Sequence, residues 1–490
     1  MVSVSTSGEP LTTDRRLAVF YWLCAFILFG AFFLRLGVLW DTDSYYHLAV
    51  ARLYAQHGPF ARIPWARFSL IGNGADKDLL FHLLLAPFAA LPDAAIGGRI
   101  ALAMLNATLA TIIAMMSMRV LGNAAFLLPP AIWIGAPPFF SRIVRLRPEL
   151  LALMLLLLAI IAAARRRYAL LALIAFAFTL GYTAFHVLAA IAILWFVWSW
   201  IREKKPDVAL VAPPLLGIAA GLLLRPHPIA NLRLWFVQNV VFFANMSRLD
   251  VGNEINPPLV PQTLFVSSIW IGGMGILMAM ALRGGRRESR EGGDIAAYTT
   301  IAAAVFILLF FRFGRMALYA FPLATLAIVL GFGARLRPRQ SVVVLTLLTL
   351  IALPVTFDSE KRRFIASGSA DVTELDWFAF GRSVPAGARI AARWADADAY
   401  VFWAPQGRYL NVLDPTFMFV TFPRQYEAQR KLFSGEDPDI PRTLVEVLDS
   451  DYLALDWTTA PEPLIRRLRN DPRLEVVYGG YNVLFRVRRR

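Results

Sequence analysis

Apolar runs recur along the first 357 residues of this chain, and no water-facing globule could bury so many of them. A run near 18 residues or longer can cross a hydrocarbon core of about 30 Å, because a helix satisfies its own backbone polar groups there. About eleven such stretches are visible, at 17–38, 97–118, 124–138, 149–164, 168–183, 185–201, 209–224, 265–282, 295–311, 317–333 and 341–357. Several are short or contain proline. Hydrophobic residues make up 58% of the chain and mean hydropathy is +0.56, which excludes an ordinary soluble domain. The first run is long and lacks a small-residue cleavage site, so it reads as a signal anchor.

A net charge of +15 would suit a nucleic-acid partner if it were spread over one face. It is clustered instead at Arg15-Arg16, at 165–167, at Arg202 with Lys204-Lys205, at 283–290 and at 335–339. Placing these clusters inside gives one alternating path through the spans, with a cytoplasmic amino terminus and no nucleic acid bound. The lone Cys24 excludes an intrachain disulfide and argues against a thiol nucleophile.

On that path the outer face receives 39–95, 139–148, the turn near His186, 225–263, the junction at 312–315 and everything after 357. Almost every unusual polar residue falls in these segments. Chemistry there has no access to ATP or nucleotide sugars. The first of them opens with Asp41-Thr42-Asp43-Ser44-Tyr45-Tyr46-His47. Asp41 and Asp43 have Asp-x-Asp spacing, which can hold a divalent cation against phosphate through hard oxygen ligands. Asp43 is placed to cap a helix running to about residue 56, with His47 one turn along the same face. Asp76-Lys77-Asp78 reads as a solvated turn, with a second acidic patch as the alternative, and His82, His186 and His227 read as interfacial polar groups. After 357 the apolar runs end. Short β-like runs at 409–413, 452–457 and 474–478, a helical stretch at 440–447 and a hairpin through Gly479-Gly480 into 481–487 predict a small α/β domain.

In this order the landmarks resemble the GT-C glycosyltransferases, most closely the catalytic subunit of oligosaccharyltransferases. Asp43-Ser44-Tyr45-Tyr46-His47 resembles the family's first-loop motif, whose Asp ligates a divalent metal and contacts the acceptor side. Asn253-Glu254-Ile255-Asn256-Pro257 is similar to the element of the long re-entrant loop whose acid orients the acceptor. Arg315-Met316-Ala317-Leu318-Tyr319-Ala320-Phe321-Pro322 is similar to the late span whose Arg binds the lipid-linked phosphate. The resemblance covers roughly residues 17–357, and there are two departures. The expected second acidic pair reads Arg145-Leu146-Arg147-Pro148-Glu149, with one acid. The acceptor-reading Trp-Trp-Asp-x-Gly is represented only by Arg393-Trp394-Ala395-Asp396-Ala397, which points to an acceptor other than an Asn sequon.

The resemblance therefore implies a mainly α, polytopic GT-C-like membrane protein, with residues 1–357 as catalytic domain and 358–490 as an extracytoplasmic α/β domain. It would sit in the bacterial cytoplasmic membrane and transfer a sugar or oligosaccharide from a polyprenyl-(di)phosphate carrier to a glycan, lipid or protein acceptor. Asp43 and Glu254 are the expected catalytic carboxylates. Asp43, Asp41 and Glu149 are the expected ligands of Mg²⁺ or Mn²⁺, and Arg315, Arg147, His47 and Tyr46 are expected to contact substrate. Arg suits a phosphate because its guanidinium is a permanently charged planar fork. Each residue also has a plain structural alternative: a helix cap for Asp43 and Glu149, loop support for Asp41, an ordinary loop acid for Glu254, snorkelling for Arg315 and packing for His47. Three rivals stand beside this reading: a single-sugar transferase, a polyprenyl-lipid transporter or flippase, and a structural or assembly membrane protein, which would leave the acidic loop without a ligand. The flippase is disfavoured because acids are nearly absent from the apolar runs.

Overall fold

The structure, a computed structural model, describes residues 11–249, 252, 255–258, 264–265, 267–268, 270–275, 290–332, 338–366 and 374–488. Among the described residues, six helices are long and apolar enough to cross a membrane: Arg15–Leu36, Ala94–Gly135, Phe185–Glu203, Gly293–Arg312, Gly314–Gly331 and Arg339–Ser359. Two bent pairs, Pro137–Ile143 with Pro148–Ala164 and Val208–Leu224 with Pro228–Arg248, raise the number to eight if each is one span. Among the described residues, several of the about eleven expected runs do not stand as separate spans, for identifiable reasons. The runs at 97–118 and 124–138 join in one continuous 42-residue helical path. The run at 168–183 forms only the 14-residue helix Tyr168–Gly181. Much of 265–282 lies outside the described residues.

Proline sets both bends. Pro148 disfavours helical geometry at the residue before it, and Arg147 is extended at φ −130°, ψ 153°. The chain turns by 110° there and resumes as the helix Pro148–Ala164. The second bend, 116°, falls at Arg225-Pro226-His227-Pro228.

Helix α1 (Leu11–Leu36) leads into α2 (Thr42–His57), then α3 (Leu79–Ala89) and α4 (Ala94–Leu121). Asp41 caps α2 by accepting from the Ser44 amide at 3.3 Å, so Asp43, expected as the cap, sits within the first turn. α4 packs on its neighbours through glycines. A Cβ at Gly97 would run into the carbonyl oxygen of Phe88, and one at Gly98 would meet a Leu48 methyl at 2.5 Å.

The sequence after residue 374 supplies β1 (Arg389–Ala391), β2 (Arg408–Tyr409), β3 (Tyr452–Asp456), β4 (Leu474–Gly479) and β5 (Asn482–Val487). They form one sheet in the order β2-β1-β3-β5-β4. β1 is parallel to β2 and β3, while β5 is antiparallel to β3 and β4. The hairpin and the helix Ile440–Glu446 lie where the sequence places them. The expected boundary at 357 falls inside the helix Pro338–Ala366. One apolar cluster runs from α2 and α4 into Trp377, Phe380, Tyr400 and Tyr409, so the sheet region is packed onto the helical body. Tyr45 forms the joint: its ring meets Trp377 edge-on at 5.0 Å, and its hydroxyl donates to Glu374 at 3.1 Å.

Candidate active site

The extended turn before Pro148 is pinned to the start of α2. The Leu146 amide donates to Ser44 Oγ at 3.0 Å, and Arg147 reaches across both carboxylates of the first loop. Its Nε donates to Asp41 Oδ2, and its Nη2 lies 3.1 Å from Asp43 Oδ2. Burial alone would raise the Asp41 pKa, but Arg147, Arg145 and the Ser44 hydroxyl outweigh it and hold the carboxyl below its usual range. Arg147, expected at the substrate, is thus the counter-ion of the Asp-x-Asp pair.

Asp43, His47, Arg147, Glu149 and Arg315 all line one cavity of about 430 Å³. Residues separated by more than 260 positions meet there because the turn at 144–147 and the turn Gly314–Met316 open on the same end of the helical body. The Gly314 amide donates to the Asn256 carbonyl at 3.1 Å, tying the Arg315 turn to the loop before it. Glu254 lies outside the described residues, while its neighbours Gly252 and Ile255 line the cavity.

Lys77 and Arg145 share the same wall, and sequence reasoning missed both. Burial works against the Lys77 ammonium, yet Asp78, Asp414 and Glu149 outweigh it and raise its pKa, so Lys77 stays charged. Asp76 and Asp78, expected in a solvated turn, are 7% and 0% exposed. Burial pushes the Asp78 carboxyl up to about 6. The one sequence signal for Lys77 was a cation set between two acids in an outer loop. The terminal region adds Trp394 and Asp414 to the cavity wall. It also buries Asp398, which accepts from the Leu413 amide at 2.8 Å. Burial, then the Asp43 carboxylate, push Asp398 well above the usual carboxylate range.

Two expected contacts change. Tyr46 is 1% exposed and stands behind the wall, its ring edge-on to His47 at 5.6 Å and to His82 at 6.2 Å. A helix turns about 100° per residue, so Tyr46 leaves the face shared by Asp43 and His47. Glu149, expected beside Asp43 on a metal, receives Arg142 Nη2 at 3.3 Å. Among the described residues, no group of three or more Asp, Glu, His or Cys side chains is arranged to hold a metal ion. With Arg147 on Asp41 and Asp43 and Arg142 on Glu149, the acidic set does not fit a divalent cation as it stands.

A second, mostly apolar groove of about 310 Å³ opens beside the charged cavity. Phe178, Phe243, Phe306, Leu309 and Phe313 form its sides, and it shares Tyr182, Thr183, Gln238, Phe242, Asp414 and Arg315 with the cavity. Gln238 comes from a π-helical turn at Val237–Val241, a widened turn of the kind found at functional sites.

Solved structures share this architecture at low identity. The oligosaccharyltransferase of Archaeoglobus fulgidus, solved tethered to an acceptor peptide containing the NVT sequon, superposes with a TM-score of 0.54 at 11% identity, over 89% of this chain and 69% of that chain. The same organism's oligosaccharyltransferase AglB, in complex with an inhibitory peptide and a dolichol-phosphate, gives 0.54 at 12% over the same shares. ArnT from Cupriavidus metallidurans, bound to undecaprenyl phosphate, gives 0.57 at 12%, over 95% of this chain and 97% of that chain. The chain therefore has a GT-C-like fold. No protein-family model and no curated protein matches it.

Proposed function

We propose that this protein is a multi-pass membrane glycosyltransferase that takes sugar from a polyprenyl-(di)phosphate carrier and passes it to an acceptor in the charged cavity, on the extracytoplasmic face of a bacterial cytoplasmic membrane. One observation carries the reading: Arg315 stands in the wall common to an apolar groove and a cationic cavity. An isoprenoid phosphate needs that juxtaposition, an apolar trough for its chain and permanent positive charge for its head. The structural neighbours complexed with dolichol-phosphate and undecaprenyl phosphate support it.

In this reading Arg315, Lys77 and Arg145 face the carrier phosphate and neutralise the charge that grows on its oxygen as the sugar leaves. The guanidinium of Arg315 offers two parallel donors, while Lys77 acts as a compact charge. Asp43, held by Arg147, orients the acceptor, and Glu254 is proposed as a second carboxylate toward it. Arg147 supplies at the Asp-x-Asp pair the positive charge that Mg²⁺ or Mn²⁺ would supply, and no step here passes through a metal. A single sugar as the transferred group is favoured over an oligosaccharide, because the cavity is only about 430 Å³.

The test is transfer of radiolabelled sugar from a polyprenyl-phosphate donor by the purified full-length protein in nanodiscs. A hydrogen bond to a charged group contributes about 1.5–3 kcal/mol, so Arg315→Ala and Lys77→Ala should each weaken carrier binding roughly ten- to hundredfold. Wild-type binding and transfer in both variants would overturn the assignment.

A further inference from the structure

Behind the cavity wall, α2, α3 and the turn before α3 carry a buried chain of three side chains that the proposed transfer does not use. His47 Nδ1 lies 2.9 Å from His82 Nε2, and His82 Nδ1 lies 2.8 Å from Asp76 Oδ2. His47, His82 and Asp76 are 2%, 0% and 7% exposed. The Asp76 carboxylate also accepts from the Tyr54 hydroxyl at 2.9 Å and from the Asp78 amide at 2.9 Å. The far end of the chain is thus fixed by three donors, and the near end opens on the cavity through His47.

The polarity of the chain follows from its anchor. An ionised carboxylate only accepts, so the contact to Asp76 requires a proton on His82 Nδ1. A neutral His82 then presents a lone pair at Nε2, and the short contact to His47 requires a proton on His47 Nδ1. The remaining nitrogen, Nε2, is left with a lone pair on a side chain that lines the cavity. This is the logic of a carboxylate that fixes the tautomer of a catalytic imidazole, extended by one ring.

We propose that His47 is the proton acceptor of the transfer, and that His82 and Asp76 are positioning residues that hold it in the accepting tautomer. The proposal rests on the glycosyl-transfer reading above. The acceptor's O–H or N–H atom forms its bond to the anomeric carbon, and the bond from that carbon to the phosphate oxygen breaks. Its electron pair leaves with the phosphate, against Arg315 and Lys77. The acceptor's proton passes to His47 Nε2 and from there to water. Burial foremost, with the Lys77 and Arg147 cations beside it, lowers the His47 pKa well below its ordinary value, so the ring is unprotonated at neutral pH. Phe81 on α3 and Tyr46 set their rings edge-on to it, and Asp43 lies one turn before it on α2. A weak base suffices if the acceptor loses its proton late, once its bond to an oxocarbenium-like carbon is largely formed.

The experiment uses full-length protein in nanodiscs and reads polyprenyl-phosphate binding and sugar transfer separately, across pH. His47→Gln should lower kcat by about 10²- to 10⁴-fold with carrier affinity unchanged, and should remove the acid limb of the wild-type profile. Asp76→Asn should reproduce the kcat loss, because an amide donor at that end reverses both ring tautomers, and imidazole in the buffer should partly restore a His47→Ala variant. Carrier binding serves as the folding control for each variant. Should one fail it, the acid limb of the wild-type profile and the remaining variants decide. Transfer by His47→Gln within about fivefold of wild type, with an unchanged pH profile, would overturn the proposal and leave the transferase reading standing. Wild-type protein that neither binds the carrier nor transfers sugar would overturn both.

Discussion

Arg147 makes a claim that can be tested on stability alone. It is the shared counter-ion of Asp41 and Asp43, and the three side chains are 12%, 12% and 20% exposed. Removing one member of a fully buried pair costs about 3–5 kcal/mol, because a charge is left desolvated and unmatched. Two carboxylates lose their shared partner here, which pushes the cost up, while their residual exposure and the charge of Arg145 near Asp41 push it down. The expected loss for Arg147→Met is therefore about 3 kcal/mol, the low end of that range. Neutralising the acids as well should recover most of it, so Asp41→Asn/Asp43→Asn/Arg147→Met should be more stable than Arg147→Met alone. The assay is denaturant unfolding in detergent at matched lipid content. The pH dependence has a definite sign. The folded Asp41 pKa lies below the unfolded value, so its contribution is fully present above the unfolded carboxylate range of about 4 and is lost as pH falls from there through the lower folded value. Arg147→Met should flatten that acid limb. A loss under about 1 kcal/mol, or a triple variant no better than the single one, would refute the shared counter-ion.

Two further outcomes follow from the same structure. Transfer by the wild-type protein should stay within about twofold in EDTA, since Arg147 already occupies the acidic pair, whereas Mg²⁺ or Mn²⁺ should stabilise Arg147→Met, whose carboxylates are then open to a hard cation; a strict metal requirement in wild type would mean that Arg147 swings away. Gly97→Ala should lower the unfolding midpoint measurably by placing a methyl against the Phe88 carbonyl, whereas Gly293→Ala, with open space at its Cβ, should be neutral in the same measurement.

The sequence by itself determined the solvent this protein folds in and much of its local structure. Apolar runs of spanning length, basic clusters between them, the start of α2 near residue 42 and the β4–β5 hairpin all depend on short-range periodicity and turn chemistry, which act over a few residues. Through the family resemblance of its motifs it also pointed to Asp43, Arg147, Glu149 and Arg315 as site residues. What each charge touches was decided only in three dimensions. That Arg147 closes on Asp41 and Asp43, that Glu149 turns to Arg142, that Tyr46 faces inward, and that Asp76, His82 and His47 line up all depend on the bend before Pro148 and on the seat of α2 against α3. Ion pairs and imidazole tautomers are settled by distances of a few ångströms between segments far apart in the chain. No local propensity encodes those distances, because they come from packing many apolar surfaces at once.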